Sequence, residues 1–146
     1  MSVRLPLLPR WLRWGAVAAV GAFIFYASIL TVPPETVVDT AKPELLPLDK
    51  WRHFVAYATL AATVVYATAD RDGRLRWVGL LLAGVALYGI GIEFGQSFLP
   101  SRYFSLGDAY ANALGAVLVS PWFLLRRHVE FRPVRAWLPD AVTHSS

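Results

Sequence analysis

Cysteine is absent from the 146 residues, which removes disulfides, thiolate nucleophiles and thiolate metal sites together and leaves the redox compartment unreadable. Charge is scarce: Asp, Glu, Lys and Arg make up 16% of the chain, against roughly 25% in ordinary soluble domains. Local catalytic signatures are missing too. No His-Glu-x-x-His spacing announces a zinc site, and Ser105 has no nucleophile elbow around it. Asp49, His53, Glu93 and Asp108 form an oxygen-rich set with one imidazole that would suit Mg, Mn or Zn, but without a signature spacing neither a metal nor a cofactor is expected. With 56% of residues hydrophobic, the composition is that of a membrane protein. A crossing takes about 20 apolar residues, so roughly four fit and a second catalytic domain does not.

Four apolar runs follow one another. The first, 14–32, carries no charge and is preceded by Arg4, Arg10, Trp11 and Arg13. A cleaved signal peptide is its rival, but this core exceeds the roughly 7–15 residues of a signal h-region. Pro33, Pro34, Pro43 and Pro47 then block helix and predict an extended polar loop. The second helix is expected over 49–69, the third over 77–98, stopped by Pro100, and the fourth over 108–125. Gly91 and Gly95 have the small-xxx-small spacing that lets membrane helices approach, and Gly115 leaves space for a neighbouring backbone or a bound group. The remainder, 126–146, reads as a basic tail. The expectation is one domain over 1–146: an all-α, polytopic membrane protein, a four-transmembrane-helix bundle.

Four crossings put both ends of the chain on one side. That side collects Arg4, Arg10, Arg13, Arg71, Arg74, Arg76, Arg126, Arg127, Arg132 and Arg135, while Lys42, Lys50, Arg52 and Arg102 fall on the other. The positive-inside rule makes the richer side cytoplasmic, an N-in/C-in protein of the plasma membrane. The net charge of +4 then serves orientation and anionic lipid, and no nucleic-acid partner is expected.

In this topology the start of helix 2, the end of helix 3 and the start of helix 4 share the outer face. Asp49, Lys50, His53 and Tyr57 open the second helix, Glu93 and Gln96 close the third, and Arg102, Ser105, Asp108 and Asn112 lead into the fourth. Within each helix the spacing is three or four, so each set shares a face. Ionisable residues at the end of a membrane-length run are costly unless they meet a partner or water. One extracytoplasmic polar site is the economical reading.

Asp49-Lys50-x-x-His53-Phe54-x-x-Tyr57-x-x-Leu60, then Glu93-x-x-Gln96, then Arg102-x-x-Ser105-x-x-Asp108-x-x-x-Asn112-x-x-Gly115 resembles the VanZ-like family in order and spacing. The resemblance covers the second to fourth helices; the N-terminal segment and the basic tail carry no motif. It implies a small four-helix integral membrane protein related to a founding member associated with resistance to the glycopeptide teicoplanin.

Two readings stand for most of these residues. His53 is a proton shuttle or ligand beside Asp49 and Glu93, or a histidine hydrogen-bonded between helices. Asp49 and Asp108 cap helices, contact a ligand, or both. Glu93 pairs with Arg102 or works in a site, and Arg102 clamps a phosphate or carboxylate or anchors at the interface. Three functions are open: as the resemblance implies, an envelope or resistance factor recognising an amphiphilic antibiotic or lipid-linked precursor; a membrane-embedded enzyme on a lipid-linked substrate with His53, Glu93 and Asp49 as catalytic candidates; or a structural membrane subunit.

Overall fold

The computed structural model describes residues 3–31, 48–71, 75–99, 106–122 and 128–137. The expected loop after the first helix, the Arg102 and Ser105 segment and the last residues of the tail lie outside them, as does the side chain of Asp49.

Four helices dominate the described residues: α1 (Arg10–Phe25), α2 (Leu48–Ala67), α3 (Leu75–Gln96) and α4 (Leu106–Leu118). The helix α1 starts after Pro9, whose carbonyl accepts from the amides of Leu12 and Arg13, and its last turn widens into a π-helical stretch over Tyr26–Leu30. Its neighbour α3 ends where the Ser97 hydroxyl and the amides of Ser97 and Leu99 close on carbonyls of the last turn, just before Pro100.

Side-chain contacts set the directions. Arg13 near the start of α1 meets Ala67 at the end of α2, so these helices run antiparallel. Lys50 meets Asp108 and His53 meets Asn112, so α2 and α4 run parallel. The proximity of His53 to Glu93 makes α3 antiparallel to both. The centre is α2, in contact with all three other helices and packed most extensively on α4. That packing depends on Gly115, because a Cβ there would stand 2.3 Å from the Phe54 carbonyl oxygen. Gly89 admits the Tyr57 ring and Asn112 in the same way. Gly91 touches nothing within 4 Å among the described residues, so the expected Gly91–Gly95 contact ridge is replaced by Gly89 and Gly115; Gly95 meets only the Ile29 side chain, at 3.3 Å.

The chain is not all helix. Strand β1 (Val3–Leu7) pairs in parallel with β2 (Val129–Pro133), Val3 opposite Val129 and Leu7 opposite Pro133, and a 3-10 turn over Val134–Trp137 follows. Both strands were expected to be non-strand: one as a flank, the other as tail. The Tyr66 hydroxyl, at the end of α2, donates to the Pro6 carbonyl and accepts from the Leu8 amide, and its ring lies against Phe131. The pair thus sits on the end of the bundle opposite the polar residues. The last helix also breaks into turns over 119–121, and residues 123–125 of its expected span lie outside the described residues.

Two helical segments, Arg10–Leu30 and Gly79–Gln96, are long and apolar enough to cross a membrane. Only 11% and 28% of their apolar windows are buried, whereas the core helix of a soluble protein would be covered. Phe23, Leu30, Leu80, Leu87, Phe94, Tyr110 and Leu114 are exposed, while Arg13, Glu93, Gln96, Asp108 and Asn112 are buried. An apolar core remains between the helices, from Ile24, Tyr57, Leu60 and Val64 to Ala116, so the informative feature is the buried polar set beneath a largely apolar exterior.

Candidate functional site

The buried polar residues gather where α2 and α4 begin and α3 ends. Glu93 is 0% exposed, Asn112 1%, Gln96 3% and Asp108 5%. Positions 50, 53 and 57 on α2, 89, 93 and 96 on α3, and 108, 112 and 115 on α4 recur every three or four residues, so each helix turns one stripe to the others.

His53 Nδ1 lies 3.0 Å from Asn112 Oδ1 and 3.6 Å from Glu93 Oε1. The first distance is a hydrogen bond; the second is an ion-pair distance if the ring is protonated. One turn before His53, the Lys50 ammonium pairs with Asp108 Oδ1. Capping was one of the two readings of Asp108; the described helix opens at Leu106, and the carboxylate in its first turn pairs with Lys50. A carboxylate there also meets the positive end of the helix dipole. Tyr57 is 1% exposed, and its hydroxyl and Asn112 Nδ2 have no hydrogen-bond partner among the described residues.

Gln96, expected as a ligand contact, donates from Nε2 to the Ser28 carbonyl at 3.1 Å. Ser28 belongs to the π-helical stretch, so Gln96 ties the widened end of α1 to α3. Nearer the middle, the Tyr88 hydroxyl donates to the Gly21 carbonyl at 2.7 Å.

Between α1 and α2 runs a groove of about 900 Å³. Val20, Phe23, Ile24 and Ala27 form one wall, Val55 and Ala56 the other, and Trp51, Arg52, His53 and Gln96 gather at its polar end. In the sequence Arg52 counts only among the positive charges that, with Lys50 and Arg102, favour an anion at the site, and the first helix has no part in it. A local motif could not show that helix's role, because its contribution is a wall of small and apolar side chains. Also unforeseen is Arg13, which lies 3% exposed at the opposite end. Its Nη1 donates to the Ala67 carbonyl at 2.8 Å and to Asp70 Oδ1 at 3.0 Å.

Of the expected site residues, then, Lys50, His53, Tyr57, Glu93, Gln96, Asp108 and Asn112 come together, and Asp49 lies in the first turn of the same helix. Arg102 and Ser105 lie outside the described residues. Comparison with protein-family models, with curated proteins and with solved structures finds no match to this chain.

Proposed function

We propose that the chain is a multi-pass plasma-membrane protein whose groove takes the apolar part of an amphiphile while its polar end holds the head group. The observation that carries this reading is the groove itself. It is walled by alkyl and aromatic side chains, ends in Arg52, His53 and Gln96, and lies between helices whose outer faces are apolar. Ligand sites of this size combine an apolar lining with a few convergent polar groups.

In this reading all four helices span the bilayer. Twenty-odd residues at about 1.5 Å each give α1 with its π-helical stretch, α2 and α3 about 30 Å. The described α4, 13 residues or about 20 Å, is shorter, and residues 123–125 of its expected span lie outside the described residues. The VanZ-like spacing of Asp49, Lys50, His53, Tyr57, Glu93, Gln96, Arg102, Ser105, Asp108, Asn112 and Gly115 supports a cell-envelope role of the teicoplanin-resistance type, with an amphiphilic antibiotic or a lipid-linked envelope precursor as ligand.

The test is expression in a glycopeptide-sensitive host, reading teicoplanin susceptibility and membrane abundance together for wild type, His53→Ala, Arg52→Ala and Ala56→Trp. The tryptophan fills the groove from the turn after His53 and replaces none of the polar side chains. Protection by wild type, with loss to the empty-vector level in abundant variants, supports the reading. A protective Ala56→Trp protein would remove the groove from it, and a wild type that never protects would remove the resistance role.

A second reading has its own observation. His53 stands within 3.6 Å of a fully buried carboxylate, the arrangement in which an imidazole serves as acid or base. A membrane-embedded enzyme acting on a lipid-linked substrate would use it so, and the pH profile of its activity would lose one limb in His53→Gln.

A further inference from the structure

The polar end of the bundle has a property that no segment of the sequence carries alone. One ring nitrogen of His53, one oxygen of Glu93 and one of Asp108 lie within 4.8 Å of one another. These atoms come from α2, α3 and α4 and from side chains that are mostly or fully buried. Ligand atoms sit about 2.0–2.2 Å from a shared ion, so closing this set around one needs each atom to move by less than about 1 Å.

We propose that His53, Glu93 and Asp108 bind one divalent metal ion. An imidazole nitrogen with two carboxylates is a borderline donor set that suits Mn²⁺ or Zn²⁺ better than a soft ion. The carboxamide oxygen of Asn112, already 3.0 Å from His53 Nδ1, stands beside these three ligands as a third oxygen.

A second, independent observation points to a guest. Asn112 Nδ2 and the Tyr57 hydroxyl are buried without hydrogen-bond partners among the described residues, and leaving such groups unbonded is unfavourable. Asn112 borders the cluster through its bond to His53, and Tyr57 packs beside Asn112 across Gly89, one turn before Glu93. Three protein ligands leave coordination positions that carry water, and water on an ion is the kind of partner both groups lack.

Lys50 supplies the competing force. Its ammonium already holds Asp108, so the ion must displace one positive charge from a buried carboxylate. The metal site and Lys50 are therefore antagonists, and this gives the inference a signature that a casual surface site would not show.

The experiment uses the full chain in detergent, freed of metal by a chelator and titrated with Mn²⁺ while the free ion is followed by electron paramagnetic resonance. One ion per chain is expected. Histidine nitrogen coupling should appear in the pulsed spectrum, change on ¹⁵N-histidine labelling and vanish in His53→Gln. Glu93→Gln should weaken binding roughly tenfold or more, and Lys50→Met should tighten it. No binding by folded wild type, binding without nitrogen coupling, or weaker binding in Lys50→Met would each overturn the site. The chain has three histidines, so labelling of wild type shows that a histidine binds and loss of the coupling in His53→Gln assigns it to His53, and neither result requires that Glu93→Gln fold. The inference is independent of the amphiphile reading: a chain that takes up no metal yet confers protection would lose this site and keep that function.

Discussion

Gly115 and Gly91 look alike in the sequence and differ wholly in their surroundings. A Cβ at 115 would meet backbone, the Phe54 carbonyl oxygen at 2.3 Å and the Ala58 nitrogen at 3.0 Å, so the only relief is to move α2 and α4 apart. Overpacking of this kind costs about 1–3 kcal/mol. Gly115→Ala should therefore lower stability by that order, measured as unfolding in detergent, and should also disturb the Lys50–Asp108 and His53–Asn112 contacts that the same two helices make. Gly91 faces open space, and alanine there adds only the better helix former. Gly91→Ala should leave stability unchanged or slightly raised; a loss comparable to that of Gly115→Ala would restore the tight helix contact that the glycine spacing suggests.

Between elements, the join of α1 to α2 depends on a pair of unequal arginines. Arg10 reaches Asp70 Oδ2 at 2.8 Å from a side chain 71% exposed, while Arg13 reaches Asp70 Oδ1 at 3.0 Å from one 2% exposed. An exposed pair contributes about 0–1 kcal/mol, so Arg10→Ala should cost little. Hydrogen bonds to charged groups contribute about 1.5–3 kcal/mol, and Asp70→Asn, which strands the buried Arg13 guanidinium, should cost an amount of that order. The Arg13 hydrogen bond is the chief cause holding the Asp70 carboxyl well below the usual range, against a smaller opposing effect of burial and with help from Arg10. Because the folded-state pKa is lowered, this stabilisation is complete above the ordinary Asp value of about 3.9 and fades as pH falls below it. Unfolding midpoints measured from pH 6 down to pH 3 should fall for wild type, and less so for Asp70→Asn. None of this is written in the flank of the first helix, where Arg13 reads only as one more topogenic charge. Apolar runs are legible because burial in lipid demands length and composition, both of which are local. The β1–β2 pair and the Arg13 cap are illegible because each needs two distant segments at once. The polar site lies between these cases. His53, Glu93, Asp108 and Asn112 stand out as polar interruptions of apolar runs, whereas the pairing of Lys50 with Asp108 and the groove wall from α1 do not.

Across the whole molecule, the two ends of the bundle differ in kind. One carries β1, β2, the Arg13–Asp70 join and Trp11, Trp14, Trp77 and Trp122 beside an arginine-rich set of flanks; the other carries the polar cluster and the mouth of the groove. Aromatic girdles and basic flanks are features of a membrane interface, and the excess of arginine belongs on the cytoplasmic side. If that governs here, an amphiphile reaches the groove from the outer leaflet; if the orientation were reversed, the same groove would serve the inner one. The lack of cysteine makes the distinction directly measurable. Thr31 and Ala136 are both exposed and lie at opposite ends of the bundle, so each can be replaced singly by cysteine in an otherwise thiol-free protein. In intact cells a membrane-impermeant maleimide should label Thr31→Cys and spare Ala136→Cys until the membrane is opened. The opposite pattern would invert the orientation and move the site to the inner leaflet. Labelling of both variants in intact cells would mean that the two ends are not separated by a bilayer, and the four-crossing arrangement would fail with the amphiphile reading built on it.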